Sequence, residues 1–74
     1  MSNSVTYKEI LQVLVEQLVE VGMSDTAIEM IVMRLQADKV LLADLVLWID
    51  DNNPTKEQIF SQVTFIESQI EYDG

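Results

Sequence analysis

Apolar residues recur along this chain at a helical period, in four runs separated by short polar breaks. In the first run Tyr7, Ile10, Leu11, Leu14, Leu18 and Val21 return every three or four positions, while Glu9, Gln12, Glu16 and Glu20 fill the other side. "VTYKEI" supplies the start signal. Thr6 stands at the N-cap with Glu9 three residues on, a capping box, and Val5 and Ile10 take the places of a hydrophobic staple. Gly22 supplies the stop, because glycine enters the left-handed region without steric cost.

The second run starts at Ser24, an N-cap followed by Asp25 in the favourable field of the helix N-terminus, with Met23 and Ile28 as a staple. Its inward face is Ile28, Ile31, Val32 and Leu35, and Met30 and Met33 fall partly off that face. "RLQADKVLL" has no Gly or Pro to mark a boundary. One long helix would hold two wide apolar stripes apart with little chain left to cover them, so a break is expected near Ala37–Asp38. There Asp38 would cap a new helix, with Arg34 four residues back as its charge partner. In the last run Pro54 forces Asn53 out of helical geometry. Thr55 and Gln58 form a second capping box, and Ile59, Val63, Ile66 and Ile70, widened by Phe60, form the stripe. The predicted helices are 7–21, 25–36, 39–51 and 56–71, in a single domain covering 1–74. The fold class is therefore all-α, a compact bundle of three to four short helices, with homodimerisation as the way to complete it.

The third helix is unusual. In "VLLADLVLWIDDNNP" the carboxylate of Asp44 interrupts an apolar run, and Asp44 shares a side with Asp51, seven residues on. The helix is apolar over about two-thirds or more of its circumference, well beyond the ~100° stripe of an ordinary surface helix. Asp44 is read as the wet strip of a central helix, because an isolated buried carboxylate is costly. Such a helix, with companions that are also wide-faced, carries more apolar surface than so short a chain can hide. Exposed apolar patches mark protein contacts. The expected interaction surface is drawn from Met30, Met33, Leu47, Trp48, Phe65 and Tyr72, with a symmetric homodimer favoured.

Composition narrows the chemistry. The chain has no cysteine and no histidine, which removes thiolate nucleophiles, disulfides, zinc sites and the commonest general base. Thirteen acids oppose Lys8, Arg34, Lys39 and Lys56, a net charge of −9, which repels nucleic acid and anionic membrane surfaces. The opening "MSNSVTYKEI" has no basic start and no apolar core, so no signal peptide is expected, and no stretch is apolar enough to span a bilayer. The reading is cytoplasmic. "DDNNPTKEQIFSQ" fails as a calcium loop: counted from Asp50, Thr55 and Ser61 stand where Gly and Glu are required, and counted from Asp51, Lys56 and Gln62 do.

"SDTAIEMIVMRL" is similar in texture to the carrier segment of acyl carrier proteins, a resemblance that would make Ser24 a phosphopantetheine attachment point. It covers about a dozen residues. Met23 stands where the family has Asp, Asp25 follows where it has a hydrophobic residue, and the family's long preceding loop is missing. Capping explains Ser24 without a cofactor. A groove-reading DNA helix is also a poor match, since the third helix carries one Lys and no Arg.

The expected function is a small non-enzymatic protein–protein interaction or regulatory module that uses an apolar helical face and self-associates. No cofactor, metal, nucleic acid or membrane partner is expected. The alternative in another class is an acidic inhibitor that mimics nucleic acid at a basic site of a partner, for which Glu9, Glu16 and Glu20 lie on one side of the first helix.

Overall fold

The computed structural model describes residues 6–70, and Val5 and Tyr72 lie outside the described residues. Within them the protein is an all-α bundle of four helices, α1 (Tyr7–Glu20), α2 (Asp25–Arg34), α3 (Lys39–Asn52) and α4 (Lys56–Gln69).

Each helix starts on a side-chain cap, which satisfies backbone N–H groups that have no partner inside the helix. The Glu9 N–H donates to Thr6 Oγ1 at 3.2 Å and the Thr6 N–H to Glu9 Oε1 at 3.1 Å. Thr55 and Gln58 repeat the pattern at 2.9 and 3.2 Å. The Ser24 hydroxyl accepts from the Ala27 N–H at 3.2 Å. Asp38 accepts from the N–H groups of Val40 and Leu41 at 2.9 and 3.3 Å.

Two helices end in the same way. After α1 the Gly22 N–H bonds to the Val19 carbonyl and the Met23 N–H to Leu18, both at 3.0 Å, with Gly22 at φ +94°. This is a Schellman motif, and its left-handed residue is the glycine the sequence offers. After α2 the Gln36 N–H bonds to Met33 and the Ala37 N–H to Val32, both at 2.9 Å, so the same motif closes on Gln36 at φ +58° and Ala37 at φ +49°. The break between α2 and α3 is thus real, but it is held by two residues with a Cβ in a conformation that disfavours one. It also ends α2 at Arg34, short of the predicted 36.

Arg34 corrects a second expectation. Its partner is not Asp38, whose carboxylate is occupied in capping α3. The Arg34 guanidinium instead reaches α4, donating to Glu67 Oε1 through Nε at 3.2 Å and Nη2 at 2.7 Å, and to Thr64 Oγ1 at 3.2 Å. The pair ties the end of α2 to the last turns of α4.

The core draws on all four helices: Ile10, Leu14 and Leu18 of α1, Ile28 and Ile31 of α2, Leu42, Leu45 and Ile49 of α3, and Ile59 and Val63 of α4, with Met23 and Leu35 at the corners. No polar or charged side chain is buried among the described residues. Asp44 and Asp51 are exposed, but so are Val40 and Leu47 on the same side of α3, so the exposed strip is wider and more apolar than the narrow wet strip expected. Helix α3 makes its broadest contact with α1 and a smaller one with α4, while α2 packs on α1 and α4, so α3 is one side of a four-helix ring and not the central helix expected. Among the described residues no helix is long and apolar enough to cross a membrane.

Candidate interaction surface

The anticipated surface residues do not form one patch. Met30 and Met33 are exposed on the outer face of α2, where with Thr26, Glu29 and Arg34 they line an open groove of about 510 Å³. Leu47 is 63 % exposed on α3. Trp48, the next residue, is turned about 100° round the helix and is half-buried against the core, beside Asn52, Pro54 and Gln58 at the α3–α4 junction. Phe65 is 58 % exposed on α4. Trp48 therefore contributes to packing between α3 and α4 as well as to a surface.

The most coherent apolar surface lies between α1 and α3. Ile10 and Val13 from α1 and Ala43, Val46 and Leu47 from α3 line a groove of about 380 Å³, with Glu9 at its edge. Spacing explains the lining. Val13 precedes core Leu14 by one position, and Val46 and Leu47 follow core Leu45 by one and two, so each projects beside the core stripe. Val13 is 43 % exposed and Val40, one turn before Ala43, is exposed as well. Composition alone suggests a surplus of apolar residues, and Val13 belongs to the wide face that the pattern of the first helix shows; Val40, Ala43 and Val46 lie outside the expected surface because the pattern on one helix does not name its neighbour.

Further along the same seam the chemistry changes. Gln17, Glu20 and Val21 meet Ile49, Asp50 and Asn53 around a smaller pocket of about 190 Å³. The Gln17 side-chain amide donates to the Val46 carbonyl at 3.3 Å and so divides groove from pocket. Its Oε1 is buried without a hydrogen-bond partner. Early α1 thus meets the middle of α3, and late α1 meets late α3, so the two helices run side by side in the same direction. Their C-terminal ends, each the negative end of a helix dipole, lie together. Each adds a carboxylate there, Glu20 and Asp50.

Comparison with family models, with curated proteins and with solved structures finds no match for this chain.

Other chemistry is thin. Among the described residues no group of three or more His, Cys, Asp or Glu side chains is placed to hold a metal ion. Ser24, the residue of the carrier-protein resemblance, has its hydroxyl engaged as the α2 cap. Hydrogen bonds from the Thr6 backbone N–H and hydroxyl lower the pKa of Glu9 below the ordinary glutamate value, an effect of the cap.

Proposed function

We propose that this chain is a non-enzymatic protein–protein interaction or regulatory module, working in the cytoplasm through an apolar helical face and without direct contact with nucleic acid or membrane. The observation that carries the reading is the α1–α3 groove, in which Val13 and Leu47 stay in water beside a core free of polar groups. Fully covering such a side chain gains about 1.5–3 kcal/mol. Association itself costs about 4–15 kcal/mol in lost freedom, so a few side chains do not suffice and polar contacts around the groove must add to them.

The test is co-purification from the native host with the wild-type chain and with Leu47→Asp in parallel. Leu47 is mostly exposed, so the variant keeps its fold. A protein recovered in stoichiometric amount by the wild type and lost with the variant supports the reading; identical recovery by both removes it.

Self-association, with a dimer favoured, is the second part of the proposal. Met30 and Met33 support it: they share no lining residue with the α1–α3 groove and present an unbranched, adaptable surface. Light scattering from low to high micromolar concentration tests it, and a monomer throughout removes the dimer.

A further inference from the structure

We infer that the α1–α3 seam receives a cationic amphipathic helix from a partner protein, its apolar side in the groove and a lysine or arginine in the pocket between Glu20 and Asp50. The inference rests on the interaction-module reading and names the occupant. Two neighbouring features of the seam select it. The groove at Val13 and Leu47 fits an apolar stripe. The pocket beyond it sets the Glu20 and Asp50 carboxylates beside apolar Val21, Ile49 and Pro54, at two helix C-termini pointing the same way. A cation from outside pairs with both carboxylates there.

The occupant's cation is placed at the pocket end of the seam, where Glu20 and Asp50 stand together. A second copy of this chain fits poorly, because it brings net charge −9 to an acidic seam. The Met30–Met33 face remains open to such a copy.

The probe is a fluorescein-labelled 18-residue helix of leucine and lysine, with leucine at i, i+3, i+4 and i+7 spacing, read by fluorescence anisotropy. A scrambled peptide of the same composition serves as control. Binding of the patterned peptide is expected, weakened about tenfold by Leu47→Ser. The combined Glu20→Gln and Asp50→Asn changes weaken it about fivefold, and Met33→Ser leaves it unchanged. All these changes fall on side chains outside the core, and circular dichroism confirms the fold of each variant.

Equal binding of the scrambled peptide overturns the inference, because charge alone is then being read, and favours the acidic-mimic alternative. Equal binding by Leu47→Ser and wild type overturns it by placing the peptide elsewhere. Absence of binding at about 100 μM also overturns it, that concentration corresponding to a very weak complex. Light scattering then separates the two levels. Self-association lost on Leu47→Ser puts a second copy in the groove and leaves the interaction reading standing. A strict monomer, with no host protein lost on Leu47→Asp, removes that reading as well.

Discussion

Replacing Gln36 with glycine should make this protein more stable. Gln36 occupies the left-handed position of the motif that ends α2, at φ +58°, and its side chain is exposed. A residue with a Cβ pays about 1–2 kcal/mol in that conformation. Glycine avoids the clash but gives up about 0.5–1 kcal/mol through the greater freedom of its unfolded chain. The difference leaves Gln36→Gly ahead by about 0.5–1 kcal/mol, a rise of roughly 3–6 °C in Tm at this size.

Gly22 provides the reciprocal experiment. It holds the same position after α1 at φ +94°, and a Cβ built there meets nothing within 4 Å. Gly22→Ala therefore loses about 1 kcal/mol for conformational reasons alone. Both variants are measured by urea unfolding, with circular dichroism and Trp48 fluorescence as independent probes, and the m-value should not change. Gln36→Ala is the control and should not stabilise. If Gln36→Gly lowers the midpoint, or if Gln36→Ala raises it as much, the backbone argument is wrong.

Leu45 is wholly buried on α3, so Leu45→Ala should lose about 3–4 kcal/mol in the same urea assay; a loss under about 1 kcal/mol would remove it from the core. The Arg34–Glu67 pair is about one-third exposed on both sides. Glu67→Gln should therefore cost no more than about 1 kcal/mol, and less still in 1 M salt. The lowered pKa of Glu9 sets a pH dependence. The stabilisation is fully present above the ordinary glutamate value and is lost as pH falls through the lower folded value. Glu9→Gln should abolish that component, seen as a flatter acid limb in thermal melts.

The helix starts were legible in the sequence because a cap is a local event: Thr6–Glu9, Ser24, Asp38 and Thr55–Gln58 act within three residues of themselves. The inward stripes were legible for a similar reason, since Ile28–Ile31–Leu35 and Ile59–Val63 repeat at the helical period. What depends on tertiary placement was not. Arg34 has an acid four residues away in sequence and takes Glu67, on another helix, because Asp38 is engaged at its own backbone. Leu47 and Trp48 look alike as large apolar neighbours, and only the positions of α1 and α4 send one toward the groove and the other toward packing. The left-handed turn at Gln36–Ala37 has no glycine to announce it; a packing argument placed the break, and no residue preference did. The seam pocket required knowing that α1 and α3 run in the same direction, which no single-helix pattern contains.

The methionines of α2 and its approach grade from hidden to bare: Met23 is 6 % exposed, Met30 48 % and Met33 75 %. With no cysteine in the chain to consume an oxidant first, dilute peroxide should convert Met33 and Met30 to sulfoxides while the bundle stays closed. Met23 reacts only when the corner between α1 and α2 opens. A single mass-spectrometric time course therefore carries two clocks, a fast one that slows when another molecule sits on α2 and a slow one that ticks with each excursion of the corner into water.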